Sequence, residues 1–450
     1  MTAITGPTAE IADYVIATGY GDLPAAVRKE GLRSFFNILG CTVGGARHEA
    51  IEATWRALAP FAGERQATLI GRGARTDALT ACLLNGLASS IYTYDDTHAQ
   101  AVVHPSGPVM AAVLAIAERQ KVSGADLLAA FILGVEVVCR LSKAVSVAPA
   151  EGSIAWSQTG ICCGVGAAVA AGKLLGLDAL QMRRAIGIAA SQASGIRAMH
   201  GSMCTANMPA HAGQTGLRAA YLARSGFTAS EGAFEGKYGF ANCFAKKPDL
   251  AALTGGLGSH WEILANTYKP YACGIVIHPL IDAALALKTQ HGLDAAAIER
   301  VDIAAAPVAL ALCDRRHPKD EFEGQVSLYQ WVAAALVRGR AGIPECVDSA
   351  ITDPALAAFR ERVFATIDPA MPIDGVDMTI TTKDGRTLAM SVRDCIGSKG
   401  RPMTDAQLQT KFADQAEAVI GREGTQALVA QCWRLEALPD ASVLVRAAAG

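Results

Sequence analysis

Apolar side chains recur at helical spacing through most of the first 265 residues. Ala9 to Ala17, Leu23 to Val43, Ala78 to Ser90, Val109 to Arg119, Gly124 to Ala144, Gly164 to Leu175 and Leu180 to Ala193 each read as amphipathic or buried helices. Gly, Asp and Ser separate them, and the Ala and Gly inside them imply closely packed helices. The period changes after Lys269-Pro270. Apolar and polar residues alternate from Glu299 to Ala306, with Val301 and Ile303 on one face. Val376, Met378 and Ile380 alternate again. Lys383-Asp384-Gly385 supplies turn chemistry, and Leu388, Met390 and Val392 repeat the alternation, which predicts a β-hairpin. A helix is expected between these segments, at Leu328 to Arg338. Thr404-Asp405 reads as the N-cap of a further helix containing Leu408 and Phe412. The pattern predicts a mainly α protein. A large all-helical domain (1–266) carries a smaller α+β lid (267–396), and a C-terminal helical segment (397–450) packs back on the first domain.

Length agrees with more than one domain, since ~150 residues per domain is usual and the chain has 450. Hydrophobic residues make up 51% against 18% charged, an excess that a large subunit interface would absorb. No segment reaches the ~18 uninterrupted apolar residues of a membrane span; the most apolar stretch ends at Glu118-Arg119. A net charge of −2 leaves no basic stripe for nucleic acid. Glu10 and Asp13 break the first apolar run with no basic segment before it, so no signal peptide is expected. The 12 cysteines are scattered without a CxxC pair, which points to reduced, buried thiols in a cytoplasm.

Against this background the densest polar cluster is Tyr92 to His104, with Asp95-Asp96-Thr97-His98 and His104 leading into Pro105-Ser106-Gly107. Paired carboxylates, a hydroxyl and two imidazoles there open a helix, and helix starts offer free N–H groups to carboxylate anions. A capping Asp-Thr turn with solvated histidines is the plainer alternative. The spacing suits no standard metal site. A second group runs Thr267-Tyr268-Lys269-Pro270-Tyr271-Ala272-Cys273, then His278-Pro279 and Asp282, at the expected domain boundary, where clefts are common. A lysine there would hold a substrate carboxylate as a point charge. His200 and His211 flank the loop-like Gly201-Ser202-Met203-Cys204, while His48, His260, His291 and His317 have no supporting context. Gly164-Val165-Gly166 is no dinucleotide loop, because no strand precedes it and Val169 stands where the third Gly belongs.

In order along the chain, these residues resemble the MmgE/PrpD family, which includes 2-methylcitrate dehydratase, cis-aconitate decarboxylase and iminodisuccinate epimerase. The landmarks are Asn85-Gly86, Asp95-Asp96-Thr97-His98, His104-Pro105-Ser106-Gly107, Gly134-Val135-Glu136 with Arg140, and Thr159-Gly160. They continue with Gly201-Ser202-Met203, His211-Ala212-Gly213, Lys269-Pro270-Tyr271, His278-Pro279, Ser327-Leu328 and Lys411-Phe412. The resemblance implies an active site between the helical domain and the lid, a homodimer, and no metal or organic cofactor. It also implies proton abstraction next to a carboxylate of a small acid, followed by loss of water, loss of carbon dioxide or reprotonation. Such chemistry needs a base, a donor for the developing enolate and cations for the carboxylates.

The departures from the family pattern fall at the chemistry. Thr93 stands where an Asp is usual, and Ser157 where a His is usual. The lysine expected after Gly201-Ser202-Met203 is missing, its place taken by Thr205 or Met208. Gln330 stands where a Tyr is expected, with Tyr329 one place earlier. Thr97, His104 and Lys269 remain, and His200 occupies a place where an aromatic is common. The expected catalytic set is therefore His104, Lys269, Asp95, Thr97 and His200. Thr93, Asp96, Ser157, Tyr271, His278 and Gln330 are expected to contact substrate. Two readings follow: a lyase or isomerase with altered specificity, or a catalytically silent relative that binds a carboxylate metabolite or a partner protein.

Overall fold

A computed structural model describes residues 5–450. Eleven of its helices carry the fold. In the helical domain they are α1 (Pro7–Ala17), α2 (Ala25–Gly45), α3 (Ala78–Ser90), α4 (Ser106–Ala117), α5 (Gly124–Ser146), α6 (Gln158–Leu174), α7 (Ala179–Ala190) and α8 (Cys204–Arg224). The smaller α+β domain holds α9 (His278–His291) and α10 (Leu328–Arg338), and α11 (Asp405–Trp433) follows it. Polar caps fix several of these starts. The Asp77 carboxylate accepts from the N–H groups of Leu79 and Thr80 before α3, and the Thr404 hydroxyl from Gln407 before α11. Helix α4 is buried along its whole length and sits among α3, α5, α6 and α8. Small residues let these helices touch backbone to backbone. A Cβ at Gly216 of α8 would collide with the Gly164 carbonyl of α6, and one at Gly166 would meet the Gly134 carbonyl of α5 at 2.6 Å.

The α+β domain is built on a four-stranded sheet. Its strands are β1 (Ile298–Ala305), β2 (Val363–Ile367), β3 (Val376–Thr382) and β4 (Thr387–Val392), in the order β2-β1-β3-β4. Only the β1–β2 pair is parallel. Val376, Met378, Ile380 and Thr382 face the core, where α9 packs on β3 and β4. Chain reversal brings α11 back to α2, where Phe412 and Trp433 pack on Phe36 with ring centroids 4.7 and 4.3 Å away.

Three features depart from the expectation. The helical domain also carries two short antiparallel ribbons, Ala67–Leu69 with Ala74–Thr76 and Glu151–Gly152 with Ala245–Lys247. Each is too short for an alternating pattern to register. Helix α8 begins inside what reads as a loop, because its first turns carry Asn207 and Pro209. Strand β2 is an edge strand with mostly exposed side chains, and so lacks the buried alternation that marks β1 and β3.

Candidate active site

The site forms where the turn between α3 and α4 meets the strand-like segment Thr267–Lys269. Thr97 and Thr267 exchange backbone hydrogen bonds, both 2.9 Å, which tie the two sequence clusters together. Thr93 stands at φ 52° and Val102 at φ 55°, so the turn is held in a conformation that side chains seldom adopt. The ring of His104 rests on this turn. Its Nδ1 is 2.9 Å from the Asp96 carbonyl and 3.1 Å from the Thr97 hydroxyl. A carbonyl can only accept, so Nδ1 carries the proton and Nε2 keeps its lone pair. The His104 backbone N–H donates to the Thr159 hydroxyl at the start of α6, 3.1 Å. Although the residue is set into the floor of the cleft, its side chain stays 37% exposed. Burial holds the imidazole below its usual range; Asp95 opposes this and Lys269 adds to it.

Beneath the ring lies a charged layer. Lys269 is 2% exposed; its ammonium donates to the Thr93 carbonyl, 2.7 Å, and to the Asp95 carboxylate, 3.3 Å. That leaves one N–H for a ligand. The same Asp95 carboxylate is 3.8 Å from Nδ1 of His104. Lys411, from α11, reaches the Tyr94 carbonyl and Asn37, both at 2.7 Å, and burial pulls its ammonium down to about 8. Lys411 stands out in the sequence only as a family landmark; its distance along the chain hides its place under the turn. Behind Lys269 an interdomain cavity of about 300 Å³ is lined by Thr267, His278, Asp374, Ser398 and Lys399.

At the cleft mouth the loop after α7 carries Arg197 and His200. Arg197 donates to the Trp156 carbonyl, 3.2 Å, and to the Gln158 side chain, 2.5 Å. From the α+β domain, Arg315 lies against Gly201, where a Cβ would stand 2.8 Å from its Nη1. The imidazole of His200 is held below its usual range by desolvation, then by Arg197, His104 and Arg315. His200 therefore belongs to the same mouth but is neutral at neutral pH, which leaves it no imidazolium proton for general-acid work. Neither arginine stands out in the sequence, since no spacing pattern links positions 197 and 315.

The remaining expected residues divide sharply. Thr93 bridges the domains, its hydroxyl donating to Gln325 at 2.5 Å. Asp96 was expected to touch substrate, but it is fully buried below the turn. Its carboxylate accepts from Ser106, 2.5 Å, and from Asn266, and burial pushes it up to about 6. Ser157 caps α6 through Gly160 N–H, 3.2 Å. Tyr271 donates to Asp282 at 2.6 Å, inside the α+β domain. His278 opens α9 beside that cavity, buried, its Nε2 without a hydrogen-bond partner among the described residues; burial and then Lys269 push it down to about 3. Gln330 is furthest from expectation. It is fully buried within the α+β domain, where its amide oxygen accepts from Arg360 at 2.6 Å. Tyr329 beside it donates to Asp314, 2.6 Å.

A helical domain and an α+β domain that meet over a histidine, a lysine and a carboxylate define a two-domain architecture with acid–base groups at its junction. Residues 9–253 match the MmgE/PrpD N-terminal domain and residues 271–435 the MmgE/PrpD C-terminal domain. The chain belongs to the MmgE/PrpD family. It is 26% identical to a cis-aconitate decarboxylase-like protein of Aspergillus oryzae, over 98% of this chain and 97% of that protein. It is also 26% identical to cis-aconitate decarboxylase of Aspergillus terreus, over 98% and 96%. Identity to the mouse (Mus musculus) cis-aconitate decarboxylase is 27%, over 94% and 89%. These relatives are of lyase type.

Proposed function

We propose that the protein is a lyase or isomerase that acts on a small carboxylic acid and begins by removing a proton next to a carboxylate. The reading rests above all on the His104 ring, whose Nδ1–H is committed to the Asp96 carbonyl while Nε2 stays unprotonated in an open cleft. In this reading Nε2 takes the proton, and the Nδ1 bond stabilises the imidazolium that forms. The Thr97 hydroxyl, whose one hydrogen bond among the described residues is to that ring nitrogen, donates to the developing enolate. Lys269, buried beside Asp95, holds the substrate carboxylate. Expulsion of a β-hydroxyl group as water, or return of the proton, would then set the product; in a decarboxylation the departing carbon dioxide would itself leave the electron pair, and a protonated His104 would supply the proton that quenches it. A catalytically silent, carboxylate-binding relative is the second reading. It is favoured by the withdrawal of Gln330 into the α+β core.

Proton NMR of the purified protein with a panel of di- and tricarboxylates, cis-aconitate included, separates the two. Turnover of at least one acid is expected, and saturable binding across the panel without any conversion would favour the silent relative.

A further inference from the structure

The sequence loses cations from the expected site, yet the fold returns two from elsewhere. Arg197 is anchored through neutral oxygens only, so among the described residues its charge has no carboxylate partner. Arg315 comes from the other domain, its backbone carbonyl pinned by the Ser327 hydroxyl at 2.5 Å. Its carboxylate neighbour, Glu323, is 3.9 Å away, beyond a hydrogen bond. Gly201 at φ +88° makes the room for this guanidinium; any side chain there would be strained and would displace it. Two guanidinium groups from opposite domains thus meet the loop that carries His200, where both act on its imidazole, and Arg197 also acts on His104. Like charges gathered with no carboxylate in hydrogen-bond reach favour a shared anion, and the planar fork of Arg matches a carboxylate.

We propose that Arg197 and Arg315 form a second carboxylate subsite, so that the substrate is an acid with a further carboxylate beyond the one held at Lys269. The subsite rests on the function proposed above, because it takes Lys269 as the first anchor. Since its two halves come from different domains, the bound carboxylate also bridges the cleft mouth.

Isothermal titration calorimetry with succinate and butyrate, unreactive four-carbon acids with two and one carboxylates, tests it. The native protein should prefer succinate by roughly 10–100-fold, the scale of a charge-assisted bidentate contact. Arg315→Gln and Arg197→Gln should each erode that preference while leaving butyrate binding unchanged, and Arg197→Lys should restore part of it. Arg315 is half-buried in a surface loop, so its replacement leaves the core intact. Equal affinity of the native protein for the two acids, binding of neither, or a succinate preference that survives the double Gln variant overturns the subsite. Lys269→Met should weaken both acids; if it weakens neither, the function reading fails instead.

Discussion

At the scale of single residues, the acid–base behaviour of His104 follows from its neighbours. Its imidazole is held below the usual value of ~6.5. The base form therefore dominates at neutral pH, and kcat/KM should fall only as the pH drops below that value. The signs of the neighbours give a sharper prediction. Asp95 raises this pKa, so Asp95→Asn should move the acidic limb to lower pH; Lys269 lowers it, so Lys269→Met should move the limb up. A pH–rate profile on each variant checks both directions, and shifts of opposite sign would mean that His104 is not the titrating group. Asp95, Thr97 and His104 were legible because they lie within one short polar run that the turn keeps together. Arg197, Arg315 and Lys411 were not, because only tertiary folding brings those positions to the cleft.

At the scale of elements, periodicity served where one face of an element is buried. Helix α3 and helix α10 begin and end where the spacing predicts, and β3 and β4 form the expected hairpin. Helix α8 escaped because Pro209 and its glycines mimic a loop, and β2 because an exposed edge strand shows no alternation. Register within an element mattered most at Gln330. On α10 one residue turns a side chain by ~100°. Gln330 consequently points into the core toward Arg360, while Tyr329 reaches Asp314 and stacks under Arg316 at 4.1 Å. Gln330→Ala would strand the buried Arg360 and should destabilise the protein by about 1–3 kcal/mol, read from the urea midpoint, with KM unchanged. An unaltered midpoint with a raised KM would return Gln330 to the substrate.

At the scale of the whole molecule, the site exists only because distant parts of the chain converge on one turn. The helical domain supplies His104 and Thr97, the domain junction supplies Lys269, and α11 supplies Lys411 from beneath. Contacts between the domains surround the cleft: His48 meets Glu321 at 2.6 Å, and the Thr93 hydroxyl meets Gln325. Among the described residues no helix is long and apolar enough to cross a membrane, and a core of buried apolar side chains runs through both domains. In the proposed function this assembly removes a proton next to a carboxylate with Nε2 of His104. Incubation of a bound dicarboxylate in deuterated buffer, followed by NMR and mass spectrometry, is the decisive test of that proton transfer. The native protein should wash deuterium into the carbon beside the carboxylate or into the product. His104→Gln, with the ring's side chain partly in solvent, should fold normally and lose ~10²–10⁴-fold of that rate. Exchange that proceeds equally fast without the imidazole would contradict the account.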